Sequence, residues 1–149
     1  MKNITILLPI YKLDPEDIGM LNNALLSVDD FHNDVKITII CPYDLKQKFD
    51  GLDFGQKLEI KILINSTKKT DFVSQINIGI DDCDTEWFSI LEIDDEYKKS
   101  WLSSVHEYVK SYEDVDVFLP IVKNINVEGE FIGFTNESLW AYGFSQKQG

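Results

Sequence analysis

Residues 4–10, Ile-Thr-Ile-Leu-Leu-Pro-Ile, form a nearly continuous apolar run rich in β-branched side chains and closed by a proline. A strand covered on both faces reads this way, whereas a half-exposed one would alternate polar and apolar residues. The run therefore predicts the central strand of a sheet. Asp14-Pro15-Glu16-Asp17 follows it, supplying an N-cap, a proline at the first helical position and acids in the first turn. Ile18, Leu21, Leu25 and Val28 then recur at helical spacing, which predicts a helix from residue 15 to 28. Two more buried-type strands are predicted at 35–40 (VKITII) and 58–64 (LEIKILI), with one helical turn and a loop between them near 43–54. Phe72, Val73, Ile76 and Ile80 behind Thr70 or Asp71 predict a helix over 71–80, and 87–93 (WFSILEI) reads as a fourth strand. Trp101, Val105, Tyr108 and Tyr112 mark a further helix, 115–122 a fifth strand, and 125–127 with 131–134 a hairpin across Glu128-Gly129-Glu130. Strands alternating with helices give an α/β fold, a mostly parallel sheet flanked by helices. In such sheets ligands sit beyond the carboxyl ends of the strands, near the point where strand order reverses.

The chain has 149 residues, 14 Lys+Arg against 26 Asp+Glu, and a formal charge of −12. Its length suits a single domain, 1–149, able to bury a core without a disulfide or structural metal. The acid excess argues against nucleic acid as a partner, because that affinity comes largely from Lys and Arg displacing counterions. It also repels any nucleotide ligand unless a cation intervenes. No apolar run approaches the roughly 20 residues of a transmembrane helix, and the amino terminus is too short and strand-like for a signal peptide. Cys41 and Cys83 lack a CxxC or a His/Cys cluster and read as reduced thiols, so a cytoplasmic location is expected.

Glu92, Asp94, Asp95 and Glu96 place four carboxylates within five positions at the end of an apolar strand. On a strand continuing through them, residues 92 and 94 would share one face about 7 Å apart, close enough to share a hard divalent ion or phosphate oxygens through it. The alternative is a solvated acidic turn between strand and helix. Asp81-Asp82-Asp84-Glu86 reads most simply as a solvated loop, with a second ion site as its alternative. His32 and His106 lack metal-ligand spacing, and no GxSxG, GxxxxGK or GxGxxG occurs.

The order of elements, with ITILLPIYK at the start, Ser27-Val28 closing the first helix, Asn77-Ile78-Gly79 in a later one and then LEIDDE at 91–96, resembles the amino-terminal half of a family 2 glycosyltransferase of the Rossmann-like GT-A fold. The resemblance runs from about residue 4 to 122. It implies transfer of a sugar from a nucleotide-sugar donor, UDP-linked by expectation, to an acceptor hydroxyl of a carbohydrate or other molecule. Pro9 and Tyr11 would then lie against the nucleotide base, with Asp44, Gln75 and Asn77 as further nucleotide-binding candidates. Glu92 and Asp94, followed by Asp95, would match the DxD motif that holds Mn²⁺ or Mg²⁺ on the diphosphate.

The sequence departs from the family pattern in several places. Cys41-Pro42-Tyr43 stands where an acid usually contacts uracil, Ile76 stands where Arg often precedes the Asn, and the first DxD acid is Glu. The base of inverting members lies far downstream, so the chain is expected to hold the donor-binding portion of a longer domain. Glu137, among aromatic residues near Trp140, is the one late candidate for a catalytic or acceptor-contacting carboxylate. A different class of function stays open, a non-catalytic GT-A-like module serving assembly or carbohydrate binding. A receiver-like signalling domain fits poorly, because its first strand would end in an acid pair.

Overall fold

The computed structural model describes residues 3–52, 54 and 57–136. β1 (Ile4–Pro9) is buried along its whole length, as its nearly continuous apolar run predicts. α1 (Pro15–Asp29) follows, with Pro15 in its first turn and the Asp14 N–H donating to Asp17 Oδ2 at 2.8 Å. This contact satisfies one orphan donor at the helix entry. α1 buries Leu21, Ala24, Leu25 and Val28 and leads to β2 (Val35–Pro42). A 3₁₀ turn at Tyr43–Leu45 runs into the one-turn α2 (Lys46–Phe49), then come β3 (Ile60–Asn65), α3 (Phe72–Asp82) and β4 (Trp87–Ile90).

These four strands make a parallel sheet in the order β3-β2-β1-β4. The chain thus steps outward from β1 through β2 to β3, then returns to the other side of β1. With right-handed crossovers, that reversal places α1 and α3 on opposite faces and sets the switch point between β1 and β4. α3 packs closely on the sheet because residue 79 is glycine. A Cβ there would sit 3.0 Å from Ile40 Cδ1 and 3.1 Å from Leu7 Cδ2. Leu7, Ile40 and Ile76 form the buried cluster beneath it.

Contacts divide the chain into two units, 1–104 and 105–149, with α4 (Trp101–Ser111) running through the division in sequence. In the second unit, β5 (Ile121–Ile125) pairs antiparallel with β6 (Phe131–Asn136). Their turn is organised by Asn126, whose Oδ1 accepts from the N–H groups of Glu128 and Glu130, and by Gly129 at φ +81°.

Two predicted elements are corrected. The strand expected at 115–122 is absent over 115–120; β5 starts at Ile121 and forms the first arm of the hairpin in place of the expected 125–127, outside the parallel sheet. Residues 115–120 are irregular and end at Pro120, which lacks the N–H a ladder needs. The strand expected at 87–93 stops at Ile90. The Ile10 N–H donates to Ile40 O at 2.8 Å, and the Leu91 N–H donates to Leu7 O at 3.0 Å. Even-numbered donors of β1 therefore face β2 and odd-numbered ones face β4. The next donor toward β4 belongs to residue 9, a proline, and the ladder ends there.

Candidate functional site

Because the β1–β4 ladder ends at Pro9, the backbones of 10–11 and 91–96 leave the sheet side by side at the switch point. The acidic residues are consequently not on one strand face, as the alternation predicted. They occupy a turn in which the Asp95 N–H donates to Glu92 O at 3.1 Å. Glu92, Asp94 and Asp95 are exposed, while Leu91 before them is buried. Partial shielding, then the charges of Asp94 and Asp95, push the Glu92 carboxyl above its usual range, and shielding followed by Asp94 does the same to Asp95. The turn is thus a concentration of negative charge.

Among the described residues, no three His, Cys, Asp or Glu side chains converge as a preformed metal cage. One or two exposed carboxylates with an open side still suit Mg²⁺ or Mn²⁺, since such ions keep waters and take phosphate oxygens as their remaining ligands. The donor set therefore fits a cation shared with a diphosphate.

Across the crevice, Tyr11 is 59% exposed and lines an open cleft of about 490 Å³ with Thr70, Asp71 and Phe72. The loop that brings Thr70 there is folded around Asn65, buried at the end of β3. Its Nδ2 donates to Lys69 O at 2.8 Å and its Oδ1 accepts from the Thr67 N–H at 2.9 Å. Asp71 caps α3 by accepting from the Ser74 N–H at 3.0 Å, and this bond holds its carboxyl below the usual range. Ile93 of the acidic turn lines a small recess of about 20 Å³ with Pro9, Ile10, Tyr11, Lys12 and Asp17. The acid-bearing turn and the Tyr11 segment are therefore neighbours.

The other candidates are placed unevenly. Gln75 is fully buried and points inward, its Nε2 donating to Ile10 O at 2.8 Å and reaching Thr70 O at 3.5 Å. Ile76 lies in the core and Asn77 is exposed on α3. Asp44 is exposed just past β2, close enough to Cys41 to reinforce the effect of burial, which pushes that thiol up to about 11. Glu137 lies outside the described residues.

Phe72 escaped the sequence reading as a site residue. It looked like the first rung of an apolar helical ladder, yet it is 38% exposed and faces the cleft with Tyr11, while Ile76 alone of that ladder is buried. Its position directly after the cap was the available signal, because a residue at a helix entry looks outward over the preceding loop.

Residues 45–148 match the family described as glycosyl transferase family 2. Among solved structures, the 1–349 piece of S. aureus TarS superposes with a TM-score of 0.57 at 12% identity, over 87% of this chain and 43% of that one. A second S. aureus TarS structure gives 0.58 at 14% identity, over 76% of this chain and 20% of that one. The chain thus spans less than half the length of these structures, and the likeness is one of fold. None of the curated proteins matches. No helix among the described residues is long and apolar enough to cross a membrane. With a four-stranded parallel sheet flanked by helices and most of its length matched, the chain belongs to glycosyl transferase family 2 and carries the amino-terminal part of its GT-A fold.

Proposed function

We propose that this domain binds a nucleotide-diphosphate sugar, UDP-linked, together with Mn²⁺ or Mg²⁺, and that the protein transfers the sugar to an acceptor hydroxyl. The observation that carries the reading is the adjacency, at the β1–β4 switch point, of an aromatic-lined cleft and a turn of three carboxylates. Tyr11 and Phe72 offer ring surface to a base, for which stacking contributes about 1–3 kcal/mol. Glu92, Asp94 and Asp95 are the residues that would hold the ion. Bound there, a divalent cation neutralises the diphosphate and the charge that develops on it as it leaves. This resolves the conflict between a −12 chain and an anionic donor. The unpaired thiols Cys41 and Cys83 suit a reducing compartment, which supports a cytoplasmic site of action.

Titration calorimetry with UDP, with and without Mn²⁺, tests the reading. Binding is expected to depend on the metal and to weaken at least tenfold in Asp94→Ala. Metal-independent binding, or none, would overturn the donor site. A second reading, a non-catalytic module of the same fold, is favoured by the buried Ile76, which stands where the family's Arg often precedes the Asn, and by the inward-turned Gln75. Metal-dependent UDP binding with no turnover of any UDP-sugar, by transfer or hydrolysis, would select it.

A further inference from the structure

The loop bearing Glu92, Asp94 and Asp95 has no helix or strand of its own, since β4 ends at Ile90 and α4 begins at Trp101. Its shape is imposed from its two ends. At the near end, buried Leu91 is tied to Leu7 by the last sheet hydrogen bond, at 3.0 Å. At the far end stands Tyr97, which is held in three ways. Its N–H donates to Ser27 Oγ of α1 at 3.1 Å, and that hydroxyl in turn donates to Ala24 O at 2.6 Å. Its phenol oxygen shares a hydrogen bond with Ser89 Oγ of β4 at 2.7 Å and lies 3.4 Å from Ile90 O. Its ring stacks on Trp101 at 3.9 Å, and Trp101 lies 5.9 Å from Phe31.

Between these anchors, three like charges within four residues repel one another, and a turn closed by one backbone hydrogen bond would open to separate them. The anchors oppose that opening. We infer that Tyr97, with Ser27 and Ser89 as its partners, is the positioning residue that holds Asp94 and Asp95 close enough to share a divalent cation. Tyr97 touches neither donor nor ion and acts through the turn. Ser27, in the last turn of α1, thus accepts the backbone donor that fixes where the acidic turn stops. This inference rests on the donor-site reading above.

The test is Mn²⁺ binding to the full chain, followed by loss of the free-ion EPR signal, for the native protein and for Tyr97→Phe, Ser27→Ala, Ser27→Thr and Asp94→Asn. Affinity for uridine, which lacks the diphosphate and so needs no ion, and the thermal midpoint are measured alongside. Tyr97→Phe and Ser27→Ala are expected to weaken Mn²⁺ about tenfold, as loss of an outer-shell partner does. Uridine affinity should stay unchanged, and Ser27→Thr should restore the ion. A folded Tyr97→Phe with native Mn²⁺ affinity overturns the positioning role, as does a loss that falls equally on uridine binding. If Tyr97→Phe does not fold, the Ser27 pair decides by the same criteria. Asp94→Asn separates the two ideas. Native Mn²⁺ affinity in that variant removes the donor site and the positioning role with it, whereas its loss there but not in Tyr97→Phe removes the positioning role alone.

Discussion

At Gln75 an amide occupies a fully buried position where a hydrophobe would have filled the volume. Its Nε2 ties Ile10 O, the carbonyl just before Tyr11, and reaches toward Thr70 O, so one side chain joins both lips of the cleft. Its Oε1 finds no partner among the described residues. Replacing the donor by a second acceptor sharpens the conflict. Gln75→Glu is expected to lower stability by about 3 kcal/mol, the scale of an uncompensated buried charge. The carboxyl would hold its proton more tightly folded than unfolded, so the loss should be larger at pH 8 than at pH 5 in urea melts. An equal loss at both would show that the side chain escapes to water. Gln75 was legible as polar and close to the site, but not as inward-facing. Residue type names the groups available, whereas the direction of a helix side chain depends on the sheet beneath it. The caps Asp14 and Asp71 were legible because capping is local, and Tyr97 was not, because its partners Ser27 and Ser89 are distant in sequence.

Among elements, α3 depends most on a single missing atom. Gly79 lets the helix approach Leu7 and Ile40 so closely that a side chain there must displace packed core methyls. Gly79→Val is expected to lower stability by about 2 kcal/mol through overpacking, read as a drop in the thermal midpoint. An unchanged midpoint would mean that α3 can lift from the sheet without loss. The parallel strands were legible because a strand buried on two faces reads as a mostly apolar run, which β1 has with Thr5 as its one polar residue and β2 has despite Lys36 and Thr38. The end of β4 was not. Residues 91–93 continue the apolar pattern, and only the pairing register shows that the donor they require belongs to Pro9. The strand expected at 115–122 failed for a related reason, since apolar composition does not supply a partner and β5 finds one only after Pro120.

At the scale of the whole molecule, the −12 charge sets how the protein responds to salt. Lys36 pairs with Asp84 at 2.8 Å and Lys61 with Asp82 at 2.6 Å, but exposed pairs of this kind contribute little, and self-repulsion of the acid excess acts everywhere. The thermal midpoint without ligand is therefore expected to rise between about 20 mM and about 200 mM NaCl, as the Debye length shrinks. A fall would show that the ion pairs outweigh the repulsion. Pro9 has a consequence of another kind. Beyond it, the two chain segments that border the crevice owe each other no backbone hydrogen bond. With Ile10 held by Ile40 and Gln75, and Leu91 held by Leu7, the spacing of the two segments is set through β2, α3 and β1 and not by a ladder between them.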